Sequence, residues 1–93
     1  MHLFLIKQQS LMNKEALLIA VQAALDSDWH TSHNIAQDYC DSTANWIHAV
    51  LHKIEGDVWN SKYWYARTNG KNYEDFSDAL QELSAIQQHL NQA

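Results

Sequence analysis

Apolar positions along the chain recur mostly at three- and four-residue steps, the spacing of one face of an α-helix. Leu11, Ala16, Leu17, Ala20, Val21, Ala24 and Leu25 predict a first helix over about residues 11–25. Asp26, Ser27 and Asp28 interrupt it. Asp28 also offers a carboxylate to the exposed amides of a second helix, about 29–40, on which Trp29, His33, Ala36 and Cys40 share a face. Asp41, Ser42 and Thr43 open a third, with Ala44, Ile47, Leu51, Ile54 and Val58 at helical spacing and Gly56 as its left-handed stop. Asp57 caps a fourth at once, about 58–68, stacking Trp59, Tyr63 and Ala66 on one side before Asn69-Gly70 ends it. A last helix, about 73–91, turns Phe76, Leu80, Leu83, Ile86 and Leu90 inward and Gln81, Gln87, Gln88 and Gln92 to solvent, with Glu74, Asp75 and Asp78 near its positive end.

Composition sharpens this picture. Two glycines and no proline among 93 residues remove the usual punctuation of sheets and long loops, so the expected class is all-α. The length supports one core. The expected architecture is a single-domain bundle, residues 1–93, of four or five short helices, with the third and fourth as a central antiparallel hairpin and the fifth as a lid on it. Met12 stands directly before the first periodic stretch, so residues 1–10 are expected to be an N-terminal extension outside the core.

A net charge of -5 opposes the phosphate attraction on which most nucleic-acid affinity rests, so no nucleic-acid partner is expected. The apolar run 3–6 is too short to span a bilayer and lacks the flanks of a secretory signal. Cys40 is the only cysteine, which excludes an internal disulfide and is expected to be a small buried apolar residue. These features point to the cytoplasm and to no membrane partner.

The chemistry lies in the histidines, which equal the lysines and arginines in number, six each. His48-x3-His52-x2-Glu55 places three polar heads on one surface of the third helix, at the margin of its apolar stripe. His30 and His33 stand on the second helix, the nearest neighbour able to pack against it. Neutral imidazoles on adjacent turns plus a carboxylate suit zinc, nickel, copper or ferrous iron. The His-Glu-x2-His signature of zinc proteases is absent, because Ala49 follows His48. Three readings therefore stay open: hydrogen-bonded packing residues, the common use of histidines among aromatic rings; a metal site; or a metal-free ligand or acid/base site. The expected pocket is His33, His48, His52 and Glu55, all four as metal ligands if a divalent transition metal binds, with Tyr63 adding a hydroxyl and His30 peripheral. A small anionic ligand is the alternative occupant. Asp57 either orients an imidazole or serves only as a helix cap.

A competing class is an interaction module. Asn60, Tyr63, Trp64, Tyr65 and Arg67 crowd the fourth helix, and successive residues are about 100° apart, so the three consecutive rings cannot share one surface. One ring must stay half exposed or cover a neighbour, which suits a protein partner or a second copy of the chain. Trp29-x3-His33-x2-Ala36 and Trp59-x3-Tyr63-x2-Ala66 also share spacing. An enzyme is the third class, with no nucleophile elbow, phosphate loop or cofactor fingerprint in its favour.

The run from Trp46 to Asp57, followed by Asn60-x2-Tyr63-Trp64-Tyr65-x-Arg67, resembles a family of small uncharacterised bacterial and fungal proteins. That family carries histidine-alanine-x-leucine-histidine, glutamate-glycine-aspartate and tyrosine-tryptophan-tyrosine blocks, and Trp29-x3-His33-x3-Gln37 matches as well. The resemblance implies that His33, His48, His52, Glu55, Asp57 and Tyr63 are the positions of interest, and it implies no reaction. Gly56-Asp57, Tyr63 to Tyr65 and Ala66 also resemble tetratricopeptide or Sel1-like hairpins, which imply protein binding. Asn60 replaces the small alanine usual there, and the closing proline is missing.

Overall fold

Three aspartates set the frame. The computed structural model describes residues 2–92, with side chains described from Asn13 onward. Its α-helices are α1 (His2–Leu25), α2 (Trp29–Ala36), α3 (Ser42–Ile54), α4 (Val58–Tyr65) and α5 (Ala79–Gln92), with a 3-10 turn at Tyr73–Asp75. Asp28 caps α2 by accepting from the Thr31 amide, Asp41 caps α3 from Ala44, and Asp57 caps α4 from Asn60. All three caps were legible as short acidic side chains before an apolar run. The expectation about residues 1–10 concerns side chains outside the described ones.

The helix stops are equally local. At the end of α3, Gly56 takes φ +82°, the Asp57 amide donates to the His52 carbonyl at 2.9 Å and the Gly56 amide to Lys53 at 3.1 Å. This paired closure uses carbonyls that the helix would leave open. Ser27 plays the same part after α1, at φ +66°, with Asp28 and Ser27 donating to Ala23 and Ala24.

Helix α3 is the axis of the molecule, packed against α1, α2, α4 and α5. Every residue from Ala44 to His52 is buried, as for a helix enclosed on all sides. The α3–α4 hairpin is antiparallel: the Ser61 hydroxyl donates to the Ala49 carbonyl at 2.7 Å, and Asn45 Nδ2 donates to the Arg67 carbonyl at 3.1 Å. Leu17, Val21, Ile47, Val50, Leu51, Leu83 and Ile86 belong to one buried cluster drawn from α1, α3 and α5.

Tertiary packing moves several positions from where the periodicity puts them. Ile54 and Val58 are each 44% exposed, because they lie at the turn beyond the reach of the flanking helices, while His48 and His52 are enclosed. In α4 the buried side chains are Ser61 and Tyr65, and Trp59 and Tyr63 face outward. The small Ser61 lets α4 approach α3 closely and turns the expected Trp59 face to solvent. Helix α2 ends at Ala36, so Cys40 falls in the connection and is exposed rather than buried. The expected last helix is split: Asn72 and Asp75 form a capping box around the 3-10 turn, the chain is extended at Phe76, and α5 starts at Ala79. Leu80 is consequently exposed, whereas Leu83, Ile86 and Leu90 are buried as expected. Helix α5 lies on α1 and α3, not across the hairpin.

Candidate metal site

Where α2 crosses α3, His33 meets His48 and His52. One nitrogen from each ring lies within 4.8 Å of the others. Ring centroids are 4.6 Å apart for His33 and His48, 4.9 Å for His48 and His52, and 5.5 Å for His33 and His52. The i, i+4 step in α3 sets the second distance, and the packing of α2 sets the other two. Nitrogens on a tetrahedral zinc ion stand about 3.4 Å apart, given zinc–nitrogen bonds of about 2.0–2.1 Å, a spacing inside that 4.8 Å limit.

Two indoles fix the rings. Trp29 stacks on His33 at 4.6 Å and turns an edge to His52 at 5.9 Å, while its Nε1 donates to the Leu51 carbonyl at 2.7 Å. Trp64 stacks on His48 at 4.0 Å with its plane only 14° away. Glu55, the C-cap residue of α3, folds back so that its Oε1 sits 2.6 Å from His52 Nδ1. A carboxylate can only accept, so Nδ1 carries the proton, and in the neutral form of the ring Nε2 keeps its lone pair. Among the described residues this is the only hydrogen bond that the three imidazoles make.

Electrostatics favours the uncharged form of two of the three rings. Burial pushes the His48 pKa down to about 4, helped by repulsion from His33 and His52. Burial also lowers His33, with repulsion from His52 and His30 adding to it and attraction to Glu55 opposing it. Neutral imidazole is the ligating form. The one side-chain polar atom among the described residues that is both sealed and unpartnered is Ser32 Oγ. The free nitrogens of His33 and His48 therefore remain reachable from outside.

The expected pocket residues separate into roles. His33, His48 and His52 converge. Glu55 is hydrogen-bonded to Nδ1 of His52, and with His52 and Asp57 it forms a second, more exposed grouping. Asp57 is a helix cap whose oxygens receive the Asn60 amide at 3.2 Å and Asn60 Nδ2 at 2.8 Å; the side-chain bond first, then the backbone one, lowers its pKa. Tyr63 packs under the Arg67 guanidinium at 3.6 Å and beside Trp59 and Trp64, one ring away from His48. His30 is exposed at the edge of Trp29.

One buried polar cluster escaped the sequence reading. Glu82 is fully buried and accepts from Trp46 Nε1 at 2.8 Å, the Tyr65 hydroxyl at 2.6 Å and Lys53 Nζ at 2.8 Å. Lys53 also donates to the carbonyls of Tyr73 and Phe76. Burial, the bond to Glu82 and its charge push the Tyr65 pKa upward. The available signal was a carboxylate at position 82, in step with Ile86 and Leu90 on the buried stripe of α5. Comparison of the chain with protein-family models, curated proteins and solved structures returned no match.

Proposed function

We propose that this protein binds one divalent transition metal ion through His33, His48 and His52, with Glu55 orienting His52 rather than ligating. The supporting observation is that three imidazole nitrogens converge while those of His33 and His48 have no hydrogen-bond partner among the described residues. Packing histidines ordinarily pair their polar atoms with protein groups, whereas these nitrogens are left open for a ligand. A carboxylate on the far nitrogen is the usual companion of a metal-bound histidine, fixing tautomer and ring plane. A free anion is a poorer occupant, because burial holds His33 and His48 neutral and withholds the positive charge it would need.

The test uses protein purified without a histidine tag. Elemental mass spectrometry is expected to find about one zinc, nickel, copper or iron per chain, and chelated protein to take zinc back up. In His33→Ala, which alters a half-buried ring and not the core, that uptake is lost while the helical circular dichroism stays. Absence of metal and of zinc uptake in folded wild type returns the cluster to a packing role.

A second reading draws on Trp59, which is 75% exposed and followed along α4 by Tyr63 and Arg67. Exposed tryptophan and arginine commonly anchor partners. On this reading the chain is an interaction module of the tetratricopeptide-like kind, meeting a protein or a second copy of itself. Sedimentation of wild type against Trp59→Ala tests the self-association arm.

A further inference from the structure

Resting on the metal reading, we propose that the ion keeps one coordination position free of protein, for a water molecule or a small monoanion, so that the site is an exchangeable one and not a structural clip. Structural zinc sites are closed by four protein ligands, whereas reactive ones use three and leave the fourth place to water. The donors around the trio decide which case applies. Glu55 Oε1 is engaged at Nδ1 of His52, and an ion bound through Nε2 would lie across the ring from that oxygen. Asp57 has both oxygens held by Asn60. Cys40 is exposed in the connection after α2. The Tyr63 ring packs against Trp64 on the side away from direct ring contact with the trio, under Arg67 and beside Trp59.

His30 is exposed and makes its ring contact with Trp29 and not with the trio; the other rings against the trio are indole faces. Trp29 and Trp64 flank His33 and His48, and an indole offers a metal no lone pair; the Trp29 N–H is already committed to Leu51. Three neutral nitrogens leave the full double charge on the ion beside apolar walls. A monoanion in the open place offsets part of that charge, and a water there is acidified to near neutrality on zinc, losing its proton to bulk solvent.

Cobalt(II) reports this directly, because its visible bands depend on coordination number and ligand. The full chain is loaded with cobalt and titrated with sodium azide. Expected is a saturable change in the visible bands at one azide per cobalt, retained in Glu55→Gln. Cobalt bands that azide leaves unchanged mean that the protein supplies the fourth ligand; the metal reading then stands and the open position falls. If Glu55→Ala gains an azide response that wild type lacks, Glu55 is that ligand. No cobalt uptake by folded protein overturns both.

Discussion

Two polar clusters are buried on different sides of α3, and they treat their polar atoms differently. Around Glu82, both carboxylate oxygens are filled by Trp46, Tyr65 and Lys53, and the lysine spreads its protons over Glu82, Tyr73 and Phe76. Around His48 the imidazoles stack on indoles and on one another, and a single hydrogen bond, from His52 to Glu55, serves three rings. The first cluster is saturated and ties α3, α4, α5 and the 3-10 turn together. The second has donor capacity to spare, in the His33 and His48 nitrogens that no protein group among the described residues fills. Burial of polar groups alone therefore does not separate the two clusters; the pairing of their polar atoms does.

The contrast is broken most strongly at Glu82. Glu82→Ala leaves the Lys53 ammonium enclosed without its partner, and removal of one member of a buried pair costs about 3–5 kcal/mol. Urea unfolding is expected to show a loss of that size, with zinc affinity of the folded fraction unchanged. A loss below about 1 kcal/mol would mean that the cluster is not a structural tie.

Acid separates the clusters next. His48 has a folded pKa near 4 against an ordinary 6.5, so the unfolded chain takes up the proton first. The stability held by neutral His48 is complete above about pH 6.5 and is lost as pH falls towards 4. The loss is about 3 kcal/mol for a shift of that size, with His33 adding in the same direction. The unfolding free energy of metal-free protein, from urea titrations, should fall by about 2 kcal/mol between pH 7 and pH 4.5 on account of His48. A His48→Phe variant should fall less; an identical slope in the two proteins would remove His48 as the cause.

The smallest effect sharpens the site itself. Glu55→Gln is expected to weaken zinc binding by about 10–100-fold, as loss of a carboxylate behind a ligating histidine does. Its urea midpoint should stay close to wild type, because Glu55 is exposed. Abolition of binding would instead make Glu55 a ligand.

Much of the frame was written locally. The aspartate caps at 28, 41 and 57, the glycine stop at 56 and the i, i+4 pair His48 and His52 depend on residues within one or two turns of each other, so sequence alone determined them. The partnership of His33 with that pair, the indole faces of Trp29 and Trp64 against the imidazoles, and the outward turn of Trp59 depend on how α2 and α4 roll onto α3. The split of the last helix depends on the capping box at Asn72 and Asp75. Glu82 shows the same limit: its place on the α5 stripe was visible, but only packing brings Lys53, Tyr65 and Trp46 to it. Helix periodicity fixes angles within one element, and only the close packing of several elements fixes which side chains from different elements meet.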